Sequence, residues 1–372
     1  MRILFSTTVL FSALAAFGQT GPGTVVVHSK FGGEIFGFDI DQNGTEGVLS
    51  ESRTLPNGTI LAAVETFDQA TGAILDVVAS TDTQDDFVTM GVVGNSVGLV
   101  EHEHVTGMFV SSRTFKTINP LSGNKLDGAW TPPIGPQNII MPDGVSRNQG
   151  VPNVAVFVYD NSGNFMPLVF SSNVAANTFG PVITITDSLD FGSVPPPIAY
   201  NSKTNQAFLG GGDGCFGCFP VIGVANLTPG SFTTFQGIGF GFVNGIAVDS
   251  ADDVLCTDTE DDAAVEFYDL PTHAASKVTL PNSGGQQIFS GADVEFDSVH
   301  KLFLVAQPFS SSASSGSSIY VYDTKGNVQE TLNGFSFSNV STVVPLHLAL
   351  NPSNRTGYVD GPGNGELQSF TY

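Results

Sequence analysis

The sequence predicts an all-β fold built by repeating one small unit, and three observations carry that expectation. Almost nothing after residue 18 follows the helical period; short alternating runs bounded by Gly, Asn, Asp, Ser and Pro dominate instead. Gly and Pro are abundant, 43 and 21 of 372 residues, as a chain that turns every few residues requires. Four segments also align without gaps over 13 residues, at 198–210, 246–258, 294–306 and 348–360, with starts 48, 48 and 54 residues apart. Four antiparallel strands in each repeat of roughly 40–50 residues make the blade of a β-propeller. Seven four-stranded blades are expected, with six and eight left open.

The elements follow from that frame. Each aligned segment begins with three strand residues, then Asn or Asp, then Ser or Pro: Ile198-Ala-Tyr-Asn201-Ser202, Ile246-Ala-Val-Asp249-Ser250, Val294-Glu-Phe-Asp297-Ser298 and Leu348-Ala-Leu-Asn351-Pro352. A polar turn and a second strand ending in an apolar pair complete it. Third strands follow at Glu266–Asp269 and Ile319–Asp323. Earlier units fit at Leu99–Ser111, near Val145, and near Glu65 with Phe67-Asp68 in the turn. The last unit, Leu348–Tyr372, shows three strands, and the isolated run Thr24–His28 is expected to complete it, joining the termini in one blade. That closure removes an open sheet edge. The hairpin Glu34–Asp41 and the strand Leu49–Thr54 fall outside this count and would supply an eighth blade.

Met1-Arg2, the apolar run Ile3–Phe17 and small residues at Ala16 and Gly18 have the layout of a secretory signal peptide cut before Gln19. The run is shorter than the roughly 20 residues that span a bilayer. Residues 1–18 are therefore expected to be the signal peptide and 19–372 a single β-propeller domain. The protein would be secreted, extracellular or periplasmic, and monomeric. A net charge of −23 and a pI near 4.2 argue against nucleic-acid and anionic-membrane partners. Export permits disulfides: Cys215 and Cys218 are expected to pair within a loop, leaving Cys256 a buried thiol, with a bridge from Cys256 to either as the alternative. Sequons occur at Asn43, Asn57, Asn226, Asn339 and Asn354.

In a propeller the inner strands begin around the mouth of a central channel, so residues about one repeat apart converge there. Asp143, Asn244, Asp293 and His347 precede such strands. Asp and Asn oxygens suit calcium, although the same residue types also cap tight strand starts. His102 and His104, in Glu101-His-Glu-His104, share a face on a period of two and could take a transition metal or a proton. Asp39-Ile-Asp-Gln-Asn43-Gly44 imitates the start of an EF-hand loop, but its twelfth position is Ser50 and no helices flank it, so a hairpin turn is expected. The run Asp258–Asp262 reads as a solvated loop. No phosphate loop or H-E-x-x-H is present, which removes support for nucleotide and zinc-protease activities.

Asn244-Gly-Ile-Ala-Val-Asp-Ser250 through Phe267-Tyr-Asp269 resembles an NHL-type propeller repeat. Leu346–Val359 resembles the strand pair of seven-bladed lactonase-like propellers, and Asn244-Gly-Ile246 resembles a segment of the gluconolactonase–regucalcin group. That last resemblance implies a channel metal polarising a lactone carbonyl, with Asn244 a ligand, Asp293 a ligand or general base, and His347 a general base or acid. The chain departs from that group in Pro196-Pro197, in the want of an early glutamate ligand and in its expected blade number. Two functions follow: an exported ligand- or protein-binding module, which the sequence favours, and a calcium-assisted lactonase or related hydrolase at the channel mouth. Calcium is the only cofactor implied, and the extracellular ligand or partner stays unspecified.

Overall fold

In the computed structural model, burial sorts the strands of each repeat. Ile198–Asn201 and Leu348–Asn351 are buried at every position, whereas Ser231–Gln236 and Ala274–Thr279 are mostly exposed. The apolar strands therefore line the inside and the Ser/Thr-rich ones the rim. The structure describes residues 21–42, 44–82, 85–93, 97–106, 109–118, 127–130, 137–138, 144–146, 153–160, 166–173, 178–186, 189, 196–213, 219–259, 264–280, 293–307, 317–335, 346–360 and 365–372. The expected signal peptide and the Cys215–Cys218 pair lie outside them.

The chain opens with β1 (Gly21–His28). Blade 1 holds β2 (Glu34–Ile40), β3 (Glu46–Thr54), β4 (Ile60–Asp68) and β5 (Ile74–Thr81). Blade 2 holds β6 (Asp85–Val93), β7 (Val97–Thr106), β8 (Phe109–Ile118), β9 (Asp127–Trp130) and β10 (Gln137–Asn138). Blade 3 holds β11 (Gly144–Val145), β12 (Asn153–Asp160), β13 (Met166–Asn173), β14 (Thr178–Phe179) and β15 (Ile183–Thr184). Blade 4 is β16 (Ile198–Asn201), β17 (Gln206–Gly212), β18 (Pro220–Asn226) and β19 (Ser231–Gln236). Blade 5 is β20 (Val243–Asp249), β21 (Val254–Thr259), β22 (Ala264–Asp269) and β23 (Ala274–Thr279). Blade 6 is β24 (Asp293–Asp297), β25 (Leu302–Gln307), β26 (Ser317–Asp323) and β27 (Val328–Phe335). Blade 7 is β28 (Leu348–Asn351), β29 (Thr356–Asp360) and β30 (Glu366–Thr371), completed by β1.

All seven sheets are antiparallel meanders, and in blades 2 and 3 two short strands share the outer place beside β8 and β13. The pairing of β1 with β30, Val27 opposite Leu367, is the expected terminal closure. Two parts of the repeat frame need correction. Glu65 lies in the third strand of blade 1 and Leu99 in the second strand of blade 2, not at inner-strand starts. The hairpin at 34–41 and the strand at 49–54 are the first two strands of blade 1, so they found no eighth blade.

Apolar cores lie between neighbouring blades. Phe208, Ile222, Leu255 and Tyr268 pack between blades 4 and 5; Cys256, Phe267, Phe303 and Tyr320 between 5 and 6; Phe38, Leu49, Tyr358 and Leu367 between 7 and 1. The first hairpins form a second set of ties at the base of the ring. Asp249 Oδ1 accepts the Ala251 and Asp252 amides at 3.0 and 3.4 Å, and Asp297 Oδ1 accepts those of Val299 and His300 at 2.8 and 2.9 Å. Asn201 Oδ1 does the same for Lys203 and Thr204. Each then reaches the next blade: Asn201 Nδ2 to Asp253 (3.1 Å), Asp249 to Lys301 Nζ (2.9 Å), Asp297 to the Tyr372 hydroxyl (2.9 Å) and Asn351 Nδ2 to Gln69 (3.0 Å). Asn205, Asp253, Lys301 and Arg355 occupy one repeat position and all have φ of 55–59°.

Candidate functional site

The mouth of the ring is where the inner strands begin. Asn244 is the extra residue of a β-bulge: Val243 pairs with Thr259 and Gly245 with Asp258, leaving Asn244 out of the ladder. Its Nδ2 is buried and has no hydrogen-bond partner among the described residues. Gly245 lets β20 approach β24, since a Cβ there would stand 2.8 Å from Val294 Cγ2 and 2.9 Å from the Val294 nitrogen. Asp293 opens β24; its Oδ1 accepts the Val294 amide at 2.9 Å and its Oδ2 accepts the Leu348 amide of the next blade at 2.6 Å. The His347 amide donates to Asp360 Oδ2 at 2.8 Å, and its ring stands edge-on to Phe38 of blade 1 at 6.3 Å.

Asn244, Asp293 and His347 thus occupy successive strand starts in blades 5, 6 and 7, as the repeat spacing implied. The Asp293 and Asp360 carboxylates both serve backbone amides across strands, the capping role open to Asp at such positions. Asp143 lies outside the described residues. His102 and His104 sit in β7, the second strand of blade 2, opposite Phe87 and Asp85 on one side and Thr114 and Ser112 on the other. They are within a paired strand and not where a strand runs into its turn. Among the described residues no three His, Cys, Asp or Glu side chains gather as a metal-binding group.

Two buried acidic pairs escaped the sequence reading. In blade 1, Glu51 and Glu65 are both fully buried, beneath the link from β1 to β2. Glu51 accepts the Phe31 and Gly33 amides at 2.9 and 2.6 Å, and Glu65 Oε2 accepts the Lys30 amide at 2.9 Å. Burial, then the nearby Glu51 charge against the Lys30 amide, pushes the Glu65 carboxyl up to about 7. In blade 5, Asp258 and Glu266 are fully buried on opposite faces of one sheet. Asp258 was expected in a solvated loop, yet it lies in β21, and burial with the Glu266 charge holds its carboxyl well above the carboxylate range. The Gln307 amide, with its nitrogen toward Asp258, donates to both oxygens at 3.1 Å, and the Tyr268 hydroxyl donates to Glu266. Glu260–Asp262 lie outside the described residues. The 39–44 segment forms the expected β2–β3 hairpin turn, with Asn43 undescribed. Cys256 is a free, buried thiol.

The mouth between blades 4 and 5 also carries an exposed apolar patch. Phe219, leading into β18, stacks on Phe240 in the link from β19 to β20, with centroids 5.5 Å apart and planes 26° from parallel. They are 41% and 44% exposed, and neighbouring Ile238 is 43% exposed. Lys277 Nζ lies 6.0 Å from the Phe240 ring centre. The visible signal was aromatic residues in Gly/Pro-rich links, at Cys218-Phe-Pro220 and Gly239-Phe-Gly-Phe242.

No family model matches the chain, and no curated protein matches it. Solved structures do. One chain of the Mitotic Checkpoint Complex superposes with a TM-score of 0.61 at 15% identity, covering 100% of this chain and 99% of that one. The RRP9 WD40 repeats give 0.59 at 10% identity, covering 95% and 99%. Chaetomium thermophilum Raptor gives 0.60 at 12% identity over 95% of this chain, which matches only 29% of Raptor's own length. At these identities the likeness establishes the β-propeller fold.

Proposed function

We propose that this protein is an exported protein-binding β-propeller whose partner docks at the mouth between blades 4 and 5. The observation that carries this reading is the exposed Phe219–Phe240 stack beside Ile238. Aromatic side chains left in water on one rim form the anchor that interfaces use, because they bury large area with little loss of rotamer freedom. The neighbouring solved structures include a checkpoint complex, which is compatible with a protein-interaction role for such a ring. The test places a photo-crosslinking phenylalanine analogue at Phe240 and, as a control, at exposed Leu75 in blade 1. In the secreted milieu of the producing cell, a discrete adduct from position 240 that Phe219→Ser removes is expected. Equal adducts from both positions would sink the assignment.

A metal-assisted hydrolase is the second reading, favoured by the placement of Asn244, Asp293 and His347 at successive inner-strand starts in blades 5, 6 and 7. Under it, calcium titrated into the metal-stripped protein binds saturably and Asn244→Ala abolishes the binding. Lactonase-like identity stands or falls with that result.

A further inference from the structure

Three sequons fall on described residues, and the fold treats them differently; Asn43 and Asn339 lie outside. Asn57 is at the tip of the β3–β4 turn, which is closed by the Leu55 amide on the Thr59 carbonyl (2.8 Å) and the Gly58 amide on the Leu55 carbonyl (2.9 Å). Pro56, Asn57 and Gly58 are exposed, and a Cβ built on Gly58 meets nothing within 4 Å. Asn57 Oδ1 accepts the Thr59 amide at 3.1 Å, curling Asn57-Gly-Thr59 into a tight turn. Asn354 is exposed in the β28–β29 turn between exposed Ser353 and Arg355. The Thr356 hydroxyl donates to Asn354 Oδ1 at 2.5 Å, so the hydroxyl of this triplet already meets its amide.

Asn226 is different. It is half-buried at the end of β18, its Oδ1 accepting Gln206 Nε2 at 2.7 Å and its Nδ2 donating to Ser231 Oγ at 3.0 Å. The Thr228 hydroxyl of that triplet accepts Asn205 Nδ2 at 2.9 Å, and Leu227 is 1% exposed. Asn226 pairs with Ser231 in a local hairpin, so these contacts need little of the remaining chain.

We propose that Asn57 and Asn354 are N-glycosylation sites and that Asn226 is not; the inference rests on export through a eukaryotic secretory route. The co-reactant is an oligosaccharide carried on a lipid pyrophosphate. The asparagine Nδ2 bonds to its anomeric carbon, the bond from that carbon to the pyrophosphate oxygen breaks, lipid pyrophosphate leaves and the amide nitrogen gives up one proton. No electrons change hands. Asn57 belongs to blade 1, at the mouth, and Asn354 to blade 7, at the base. Both stand away from the Phe219–Phe240 patch in blades 4 and 5 and would leave it clear for a partner.

The full chain is produced in a eukaryotic secretory host, once with its own N-terminus and once behind a heterologous leader. Secreted protein is released from glycans by peptide N-glycosidase in heavy-oxygen water and mapped by mass spectrometry. Labelled aspartate at positions 57 and 354 with unlabelled Asn226 is expected, and Asn57→Gln and Asn354→Gln should each remove one endoglycosidase-sensitive mobility step. Secreted protein bare at either position, or labelled at Asn226, overturns the inference while leaving export intact. A chain secreted only behind the foreign leader overturns the export reading and, with it, glycosylation of the natural protein.

Discussion

Replacing Glu65 by Gln should make the protein's stability less sensitive to pH. The Glu65 carboxyl titrates near 7 in the folded protein against an ordinary 4.5, so between these values the folded state holds a proton the unfolded chain has released. Stability therefore falls as pH rises through this window and levels off above it. A shift of that size, at about 1.4 kcal/mol per pH unit, corresponds to about 3 kcal/mol, of which about 2.5 is lost between pH 5 and 8. The charged groups facing Glu65 are Glu51, which raises its pKa, and Lys30, which lowers it. Glutamine keeps an oxygen for the Lys30 amide and offers its NH₂ to Glu51 in place of the shared proton. Guanidinium unfolding at pH 5 and pH 8, followed by fluorescence, reads the effect. Wild type should lose about 2.5 kcal/mol more than Glu65→Gln across that interval, and the variant should be the more stable at pH 8. Identical pH dependence in the two proteins would refute the assignment, because no other group has been altered.

Two further substitutions test the ties at the base. Asp249→Ala removes the acceptor for two turn amides and for Lys301, and should cost about 3 kcal/mol by denaturant midpoint, whereas Asp249→Asn should cost about 1, since Asn201 does the same work one blade earlier. Equal losses would mean that the turn does not depend on a side-chain oxygen. Tyr372→Phe deletes the buried hydroxyl bonded to Asp297 Oδ2 and should lower stability by about 1–2 kcal/mol; an unchanged midpoint would show that the His300 ring alone satisfies that oxygen.

The fold was legible in the last four blades because the turn after each inner strand imposes a chemical requirement. An Asn or Asp recurs at one position, accepting two turn amides in blades 4, 5 and 6, and a residue seven positions into the repeat turns left-handed in all four. In blades 1 and 2 the first three strands are seven to ten residues long, so apolar alternation fits several registers, and a third strand and a second strand were taken for first ones. At the mouth, the spacing brought Asn244, Asp293 and His347 to neighbouring strand starts correctly. Spacing cannot say what a carboxylate bonds to, and Asp293 turns out to accept two amides. Glu65 and Glu266 each interrupt an apolar strand, while Glu51 and Asp258 sit between Ser or Thr neighbours. That interruption was visible, but without the blade pairing it reads as a solvent-facing residue.

The two ends of the ring answer to different constraints. At the base, equivalent positions carry equivalent side chains, Asn201, Asp249, Asp297 and Asn351, and three of them make the same amide bonds while all four reach the next blade. Repetition of that kind is what docking one blade on the next requires. At the mouth, the residues just before the four aligned 13-residue segments are Pro197, Gly245, Asp293 and His347, and no two are alike. Packing does not ask for that variety: Gly245 is needed for close approach, but Asp293 bridges to blade 7 and His347 faces blade 1 through Phe38. The exposed aromatic stack is also at this end. A repeat that stays uniform where blades must be joined and diverges at the strand starts fits the proposed docking at the mouth, where substitution of Phe219 or Phe240 should alter binding without loosening the ring.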